Sequence, residues 1–518
     1  MKKLICLVLS LIMVLSLAVP AFASADEEYP VIYLRGFGMP LYSDDKESDE
    51  TEIYPLEFNI QGILSEKLGG ILKELPGGFL TGNWDVYSDR IFDAVAPIFE
   101  EIMLDKNGEA SNGSGDAEDM ATRPVSNKTS GYAIDDYYFY YDWRLSPMLI
   151  ADELKAYIER VKTATGKEKV SLVGRCLGAN IIASYLAKYT SHAEANVDSV
   201  MLFNGGILGM DFFGELYSGK VVFDANEVDK FADYALNHWE LFDDATTRDL
   251  ITTLVSFLNE IKMLGISLDL FEQAVYNIKD NILPRTLRVS FGTFPSFWSM
   301  VPAEYYEDAK KYVFGGMEDE YKGLIEKTDD YYENTQLKIV DTLKYLETKG
   351  IGIGIISKYN IPNLPLYESA AQQGDLFADT YHGSFGATCA DYGKVLSKEY
   401  IDGLEDKKYV SADNVIDAST CLFPDKTWFI KDLNHNYFPD SVDPLIMKFV
   451  RSHGEMTVFD DPQWPQYMTC NPKTYEITPG VTAAKPEPEF GTMERLWISF
   501  IRFFTNLMNL ITKLINKA

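Results

Sequence analysis

Hydrophobic positions change period several times along the chain, and the changes mark out elements. A short all-apolar run at 31–34 ends in Arg35-Gly36-Phe37-Gly38, and a second strand signal at 137–141 ends in Asp142-Trp143-Arg144. Residues 148–164 carry helical spacing. An apolar strand at 169–173 then runs through a tight turn, 174–178, into an apolar helix at 179–189, and a further strand follows at 199–203. Strand, turn, helix and strand in that order predict a parallel α/β sheet.

From 205 to 345 the alternation stops and the pattern is mostly helical, broken at Pro284, Pro295 and Pro302. A helical lid inserted between sheet strands is expected there. Strand signals resume at 351–357 and 427–430, with a loop-rich excursion between them. The expected organisation is therefore a core in two halves, 26–204 and 346–460, around the insertion. Residues 104–130, rich in Gly, Ser and Asn, read as a loop, and the proline-rich stretch 461–490 reads as a linker.

The two ends differ from the body. Lys2 and Lys3 precede an apolar run at 4–19, and small residues follow at Ala21, Ala23 and Ala25. That order predicts a cleaved leader at 1–25 and an exported protein, secreted or cell-surface associated. At 491–518, Arg495, Ser499, Arg502, Asn506, Asn509, Lys513 and Asn516 form one polar stripe on an otherwise apolar helix. Such a helix is expected to lie in a membrane surface, the alternatives being packing on a partner or back on the core.

Composition narrows the function classes. The 518 residues are 46% hydrophobic and 24% charged, which excludes a disordered chain. A formal net charge of −31 repels phosphate backbones, so no nucleic-acid partner is expected. No zinc-type His/Cys spacing, EF-hand loop or phosphate-binding glycine loop occurs, so neither cofactor nor metal is expected.

Candidate chemistry centres on Gly174-Arg-Cys-Leu-Gly178. A strand running through G-x-C-x-G into a helix sets the central residue on a sharp, strained turn, where the helix dipole favours a thiolate. Cys176 is thus the expected nucleophile. His435, a short turn after the strand at 427–430, is the expected base, with His382 the alternative. The orienting acid should precede that histidine, and Asp413, ahead of the apolar pair Val415-Ile416, is favoured over Asp417. The N–H groups of Phe37 and Leu177 are the expected oxyanion donors. Of the remaining thiols, Cys389 and Cys421 are the favoured partners for any bridge.

The run Phe139-Tyr-Tyr-Asp-Trp-Arg-Leu-Ser-Pro147, followed by one helix and then the elbow, resembles the lecithin:cholesterol acyltransferase-like branch of the α/β-hydrolases. Gly36-Phe37-Gly38 is similar to that family's oxyanion loop, and the run from Phe294 to Pro302 to its cap. The resemblance implies an α/β-hydrolase fold with a lid and an acyl hydrolase or acyltransferase acting on lipid-like esters or thioesters. It makes Phe297 and Trp298 the candidates for substrate contact. Cys176 departs from the family's serine. The rival expectation is a catalytically silent surface protein that binds ligands on the same scaffold.

Overall fold

The structure is a computed structural model. It describes residues 28–38, 102–110, 135–222 and 279–482 apart from Leu366, with short stretches and single positions elsewhere. The leader at 1–25, most of the loop at 104–130, the insertion between 223 and 275, and the tail at 491–518 lie outside the described residues, isolated positions aside.

Among the described residues nine strands form the main sheet: β1 Val31–Leu34, β2 Val125–Ser126, β3 Asp135–Phe139, β4 Val170–Arg175, β5 Val197–Phe203, β6 Gly352–Tyr359, β7 Thr427–Lys431, β8 Tyr467–Cys470 and β9 Ile477–Pro479. Their spatial order is β9-β8-β7-β6-β5-β4-β1-β3-β2. All neighbours from β3 to β8 pair parallel, and only β2 and β9, at the edges, run antiparallel. The fold is α/β.

The central strands are apolar on both faces because helices cover both. Side chains alternate between two cores with the period of a strand. Ile32, Leu34, Leu172, Val200, Leu202, Ile353 and Ile355 enter one core. Val31, Tyr33, Val173, Met201, Phe203 and Ile356 enter the other. The first core is covered by α1, Pro147–Thr165, and α2, Leu177–Lys188. Helix α1 opens on Pro147 and stops at Gly166, whose φ of 68° suits a left-handed cap, with its N–H donated to the Lys162 carbonyl. The second core is closed by the helix Asp443–Arg451, which presents Leu445, Ile446, Phe449 and Val450.

Two boundaries differ from expectation. The linker predicted at 461–490 is, as far as it is described, the sheet's own edge. Tyr467–Cys470 and Ile477–Pro479 pair onto β7 one after the other. Proline is tolerated here because Pro479 sits in the outermost strand, where an N–H is not needed. The described part of the 205–345 insertion is helical, but it does not form a separate layer. Phe294, Phe297, Trp298, Val301 and Tyr306 belong to the same apolar core as α1 and α2. Its last helix, Ile339–Thr348, packs on α2 and leads directly into β6.

Cys176, Cys389, Cys421 and Cys470 are free thiols, so the favoured Cys389–Cys421 bridge is not formed. Burial pushes the Cys421 thiol up to about 12.

Candidate active site

The loops that leave the C-terminal ends of β1, β4, β5, β6 and β7 converge, as ligand-binding loops do in parallel sheets. Cys176 sits between β4 and α2 with φ 51° and ψ −126°, a strained conformation for a residue with a Cβ. The surrounding glycines are required by contact. A Cβ on Gly178 would lie 2.4 Å from the Leu34 carbonyl oxygen, and one on Gly174 would lie 2.7 Å from Ala179 Cα. Gly36, over the thiol, leaves no room for a Cβ either, which would meet Cys176 Cβ at 2.9 Å. The G-x-C-x-G pattern is therefore a packing requirement of this turn.

Cys176 Sγ lies 3.1 Å from Nε2 of His435, and His435 Nδ1 lies 3.0 Å from Oδ2 and 3.2 Å from Oδ1 of Asp375. All three residues are buried. The His435 N–H donates to the Asp375 carbonyl at 2.8 Å, which fastens the two loops together. The carboxylate is held by the Ala378 N–H at 2.8 Å and by the Asn204 side-chain amide. That amide stands 3.0 Å from His435 Nδ1, whose proton goes to Asp375, so Asn204, itself at φ 53°, acts on the imidazole through the carboxylate it holds.

Electrostatics make the three groups one ionised unit. Burial alone would raise the Cys176 thiol, but the His435 charge and hydrogen bond outweigh it, helped by the Leu177 N–H that faces the sulfur, and its pKa is lowered. For His435 burial acts downward, yet Asp375 and Cys176 hold it up at about 10. Asp375 is lowered, because His435 and Lys358 overcome its burial. A thiolate–imidazolium pair backed by a carboxylate is the state these shifts favour.

The acid is the principal correction to the sequence reading. Asp413 is buried elsewhere, 2.8 Å from Lys431 Nζ and 3.0 Å from the Tyr359 hydroxyl. Asp417 accepts from the Tyr400 hydroxyl and caps a short turn through the Ser419 N–H. Neither is the group beside His435. Asp375 stands in the irregular excursion after β6, where no periodic pattern marks it. Its only signal in the sequence was chain order, since it falls between the nucleophile and the histidine.

The other histidines are engaged elsewhere. His382, the alternative base, lies against Asp379 at 2.8 Å. His192 bonds Tyr185 and Glu159, and His453 bonds Asp198. His238 lies outside the described residues.

Two further features position the site. Arg144 and Asp142 form a buried two-pronged ion pair at 2.9 and 2.6 Å, and Arg144 also donates to the Ile102 carbonyl. Tyr141 donates to the Arg35 carbonyl at 2.6 Å, tethering the loop that carries Phe37. The Phe37 ring, 48% exposed, meets Trp143 and Phe297 edge-on with centroids 5.8 and 5.7 Å away. Trp298, by contrast, is packed inside the insertion, stacked on Phe314 with its Nε1 donating to the Gly292 carbonyl. Phe297 thus borders the site, whereas Trp298 supports the insertion.

Lys358, which the sequence reading passed over, is fully buried at the end of β6. Its ammonium donates to the carbonyls of Asn434, His435 and Tyr437 at 3.0, 2.9 and 2.8 Å. Burial lowers its pKa to about 8, against the pull of Asp375 and Cys176. Lys358→Met would leave those carbonyls unpaired, at about 1–3 kcal/mol for each unsatisfied group. Urea unfolding should show a fall in stability of several kcal/mol at most, and steady-state assays a lower kcat, because the His435 loop loses its anchor.

No family model matches the chain, and no curated protein does. Among solved structures, the Tle4–Tli4 complex is similar at 13% identity over 64% of this chain and 75% of that one, with a TM-score of 0.22. Kex1(delta)p, a prohormone-processing carboxypeptidase from Saccharomyces cerevisiae, is similar at 10% identity over 65% of this chain and 66% of that one, with a TM-score of 0.21. Likenesses this slight carry no weight beside the geometry of the site itself.

Proposed function

We propose that the chain is an acyl hydrolase or acyltransferase that acts on esters or thioesters with apolar acyl groups through a covalent Cys176 intermediate. The observation that carries this reading is the 3.1 Å approach of Cys176 Sγ to a histidine whose other nitrogen is held by a buried carboxylate. The thiolate attacks the acyl carbonyl, and the tetrahedral oxyanion is received by the N–H groups of Leu177 and Phe37. A donor of this kind typically contributes about 3–4 kcal/mol to the barrier. Imidazolium His435 gives its proton to the departing alcohol or thiol, leaving a thioester on Cys176. His435, now neutral, takes a proton from water or an acceptor hydroxyl, which attacks the thioester and restores the thiolate. The aromatic border formed by Phe37, Trp143, Phe213 and Phe297 supports an apolar acyl chain.

The test is trapping. A short-chain aryl ester or acyl thioester, quenched with acid in the first turnover, should leave one acyl mass on the peptide that contains Cys176. His435→Ala should abolish that adduct. Turnover without any adduct on Cys176 would overturn the reading.

The leader pattern at 1–25 and the apolar helix pattern at 491–518 support export and attachment to a lipid surface. Deleting 491–518 should release the protein from anionic vesicles in a flotation assay and leave turnover of a soluble short-chain ester unchanged. A truncated chain that still floats with vesicles excludes the tail as the anchor.

A further inference from the structure

Four residues beyond Asp375 the same loop builds a second cluster. Asp379 caps the short helix Thr380–Gly383, its Oδ1 accepting from the His382 N–H at 2.9 Å, while its Oδ2 accepts from the Asp211 N–H at 3.1 Å. Asp211 opens the helix Asp211–Tyr217, in the segment that follows β5. The side chains of Asp211, Asp379 and His382 are all buried, and each offers a ligand atom within 4.8 Å of the other two.

The imidazole supplies the decisive detail. His382 Nδ1 pairs with Asp379 Oδ1 at 2.8 Å, in a contact poorly aligned for a hydrogen bond, and lies 4.0 Å from Asp211 Oδ1. His382 is 8% exposed, so this poorly aligned nitrogen lies in the interior. Three donor atoms this close together are spaced as neighbours in one coordination sphere. Two ligands each about 2.0–2.2 Å from a tetrahedral ion stand roughly 3.4 Å apart. The observed separations of 2.8 and 4.0 Å bracket that value. Nε2, the other ring nitrogen, faces the Glu304 carboxylate at 3.8 Å, on the side where a metal-bound imidazole has its outer partner. Asp211 and Asp379 also line a cleft with Asn363, whose Oδ1 is buried without a hydrogen bond.

Charge points the same way. Two buried carboxylates face at most one imidazolium, and the buried Glu215 on the same helix as Asp211 adds to the excess. A divalent cation would relieve this. Two carboxylate oxygens and one imidazole nitrogen suit a borderline ion more than calcium or magnesium, which take oxygen.

We infer that Asp211, Asp379 and His382 form a binding site for one divalent cation of the zinc type, which ties the loop bearing Asp375 to the segment after β5. The sequence shows no metal-binding spacing because the first ligand stands far from the other two in the chain.

The experiment uses the full chain carrying Cys176→Ala, so that the thiolate–imidazole pair cannot itself take the ion. After chelation and dialysis, zinc chloride is titrated by calorimetry and melting is followed in parallel. One equivalent should bind with a rise in Tm of several degrees. Cobalt(II) should give a visible d–d absorption without a thiolate charge-transfer band. His382→Gln and Asp211→Asn should each weaken zinc at least tenfold. Absence of binding, unchanged affinity in His382→Gln, or tighter binding of calcium than of zinc would each overturn the site. Should the variants fail to fold, the cobalt spectrum of the parent decides, since a thiolate band places the ion elsewhere.

Discussion

Cys176→Ala should abolish acyl transfer to within about 10³–10⁴-fold of the uncatalysed rate, the remainder coming from binding and the oxyanion donors. The substitution keeps a Cβ at a position with φ 51°, so the strained turn and the fold should persist. Near-wild-type kcat in Cys176→Ala would show that the sulfur is not the nucleophile. Cys176→Ser separates two roles of the residue. The hydroxyl keeps the geometry of the turn but cannot ionise near neutrality, so the base must be neutral His435.

The pH profile follows from the signs of the shifts. In the wild type the Cys176 pKa is lowered and that of His435 is raised to about 10. The reactive pair therefore carries thiolate and imidazolium together. Activity should fall on the acid side as the thiolate takes a proton, below the ordinary range of a free thiol, and on the alkaline side as His435 loses its proton at about 10. In Cys176→Ser the thiolate that helped to hold His435 up is gone, so the imidazole pKa falls. The profile should become one rising limb, as the neutral base forms with increasing pH. Stopped assays of kcat/KM across the stable pH range distinguish the two shapes.

The strands were legible because their apolar runs are bounded by glycine and by charged residues. The elbow was legible because its glycines are demanded by backbone contact: Gly178 against Leu34 and Gly174 against Ala179. His435 could be found because it follows a recognisable strand, β7, by a short turn. Asp375 could not be found that way. It is reached through an excursion whose shape is set by long-range bonds, such as the His435 N–H to the Asp375 carbonyl, and not by local periodicity. Asp413 was attractive because an apolar pair follows it. Those residues, Val415 and Ile416, pack in a small side core with Tyr359 and Phe429, away from the thiol. Lys358 was hidden for a related reason. Within the apolar strand β6, a lysine reads as a surface position, and only the fold shows the three carbonyls around its ammonium.

Exchanging the two aspartates for asparagine should give opposite phenotypes. Asp375→Asn keeps the size of the side chain but presents an amide to His435 Nδ1, so the imidazole turns its lone pair the wrong way and loses the charge that supports its proton. A loss of about 10⁴ in kcat is expected, from the effect of the same change in a serine-type triad. Some fall in stability should accompany it, since the Asn204 amide and the Ala378 N–H lose a charged acceptor. Asp413→Asn removes the partner of Lys431, whose side chain is 14% exposed, and weakens the bond from the Tyr359 hydroxyl. Breaking a buried ion pair costs about 3–5 kcal/mol, and the partial exposure of Lys431 puts this one at or below the lower end. Denaturant unfolding should therefore show a clear drop for Asp413→Asn, while kcat at a permissive temperature stays within a few-fold of wild type. If Asp413→Asn instead lost activity as steeply as Asp375→Asn is expected to, with Asp375→Asn near normal, the carboxylate that orients His435 would be Asp413 and the assignment of Asp375 would be wrong.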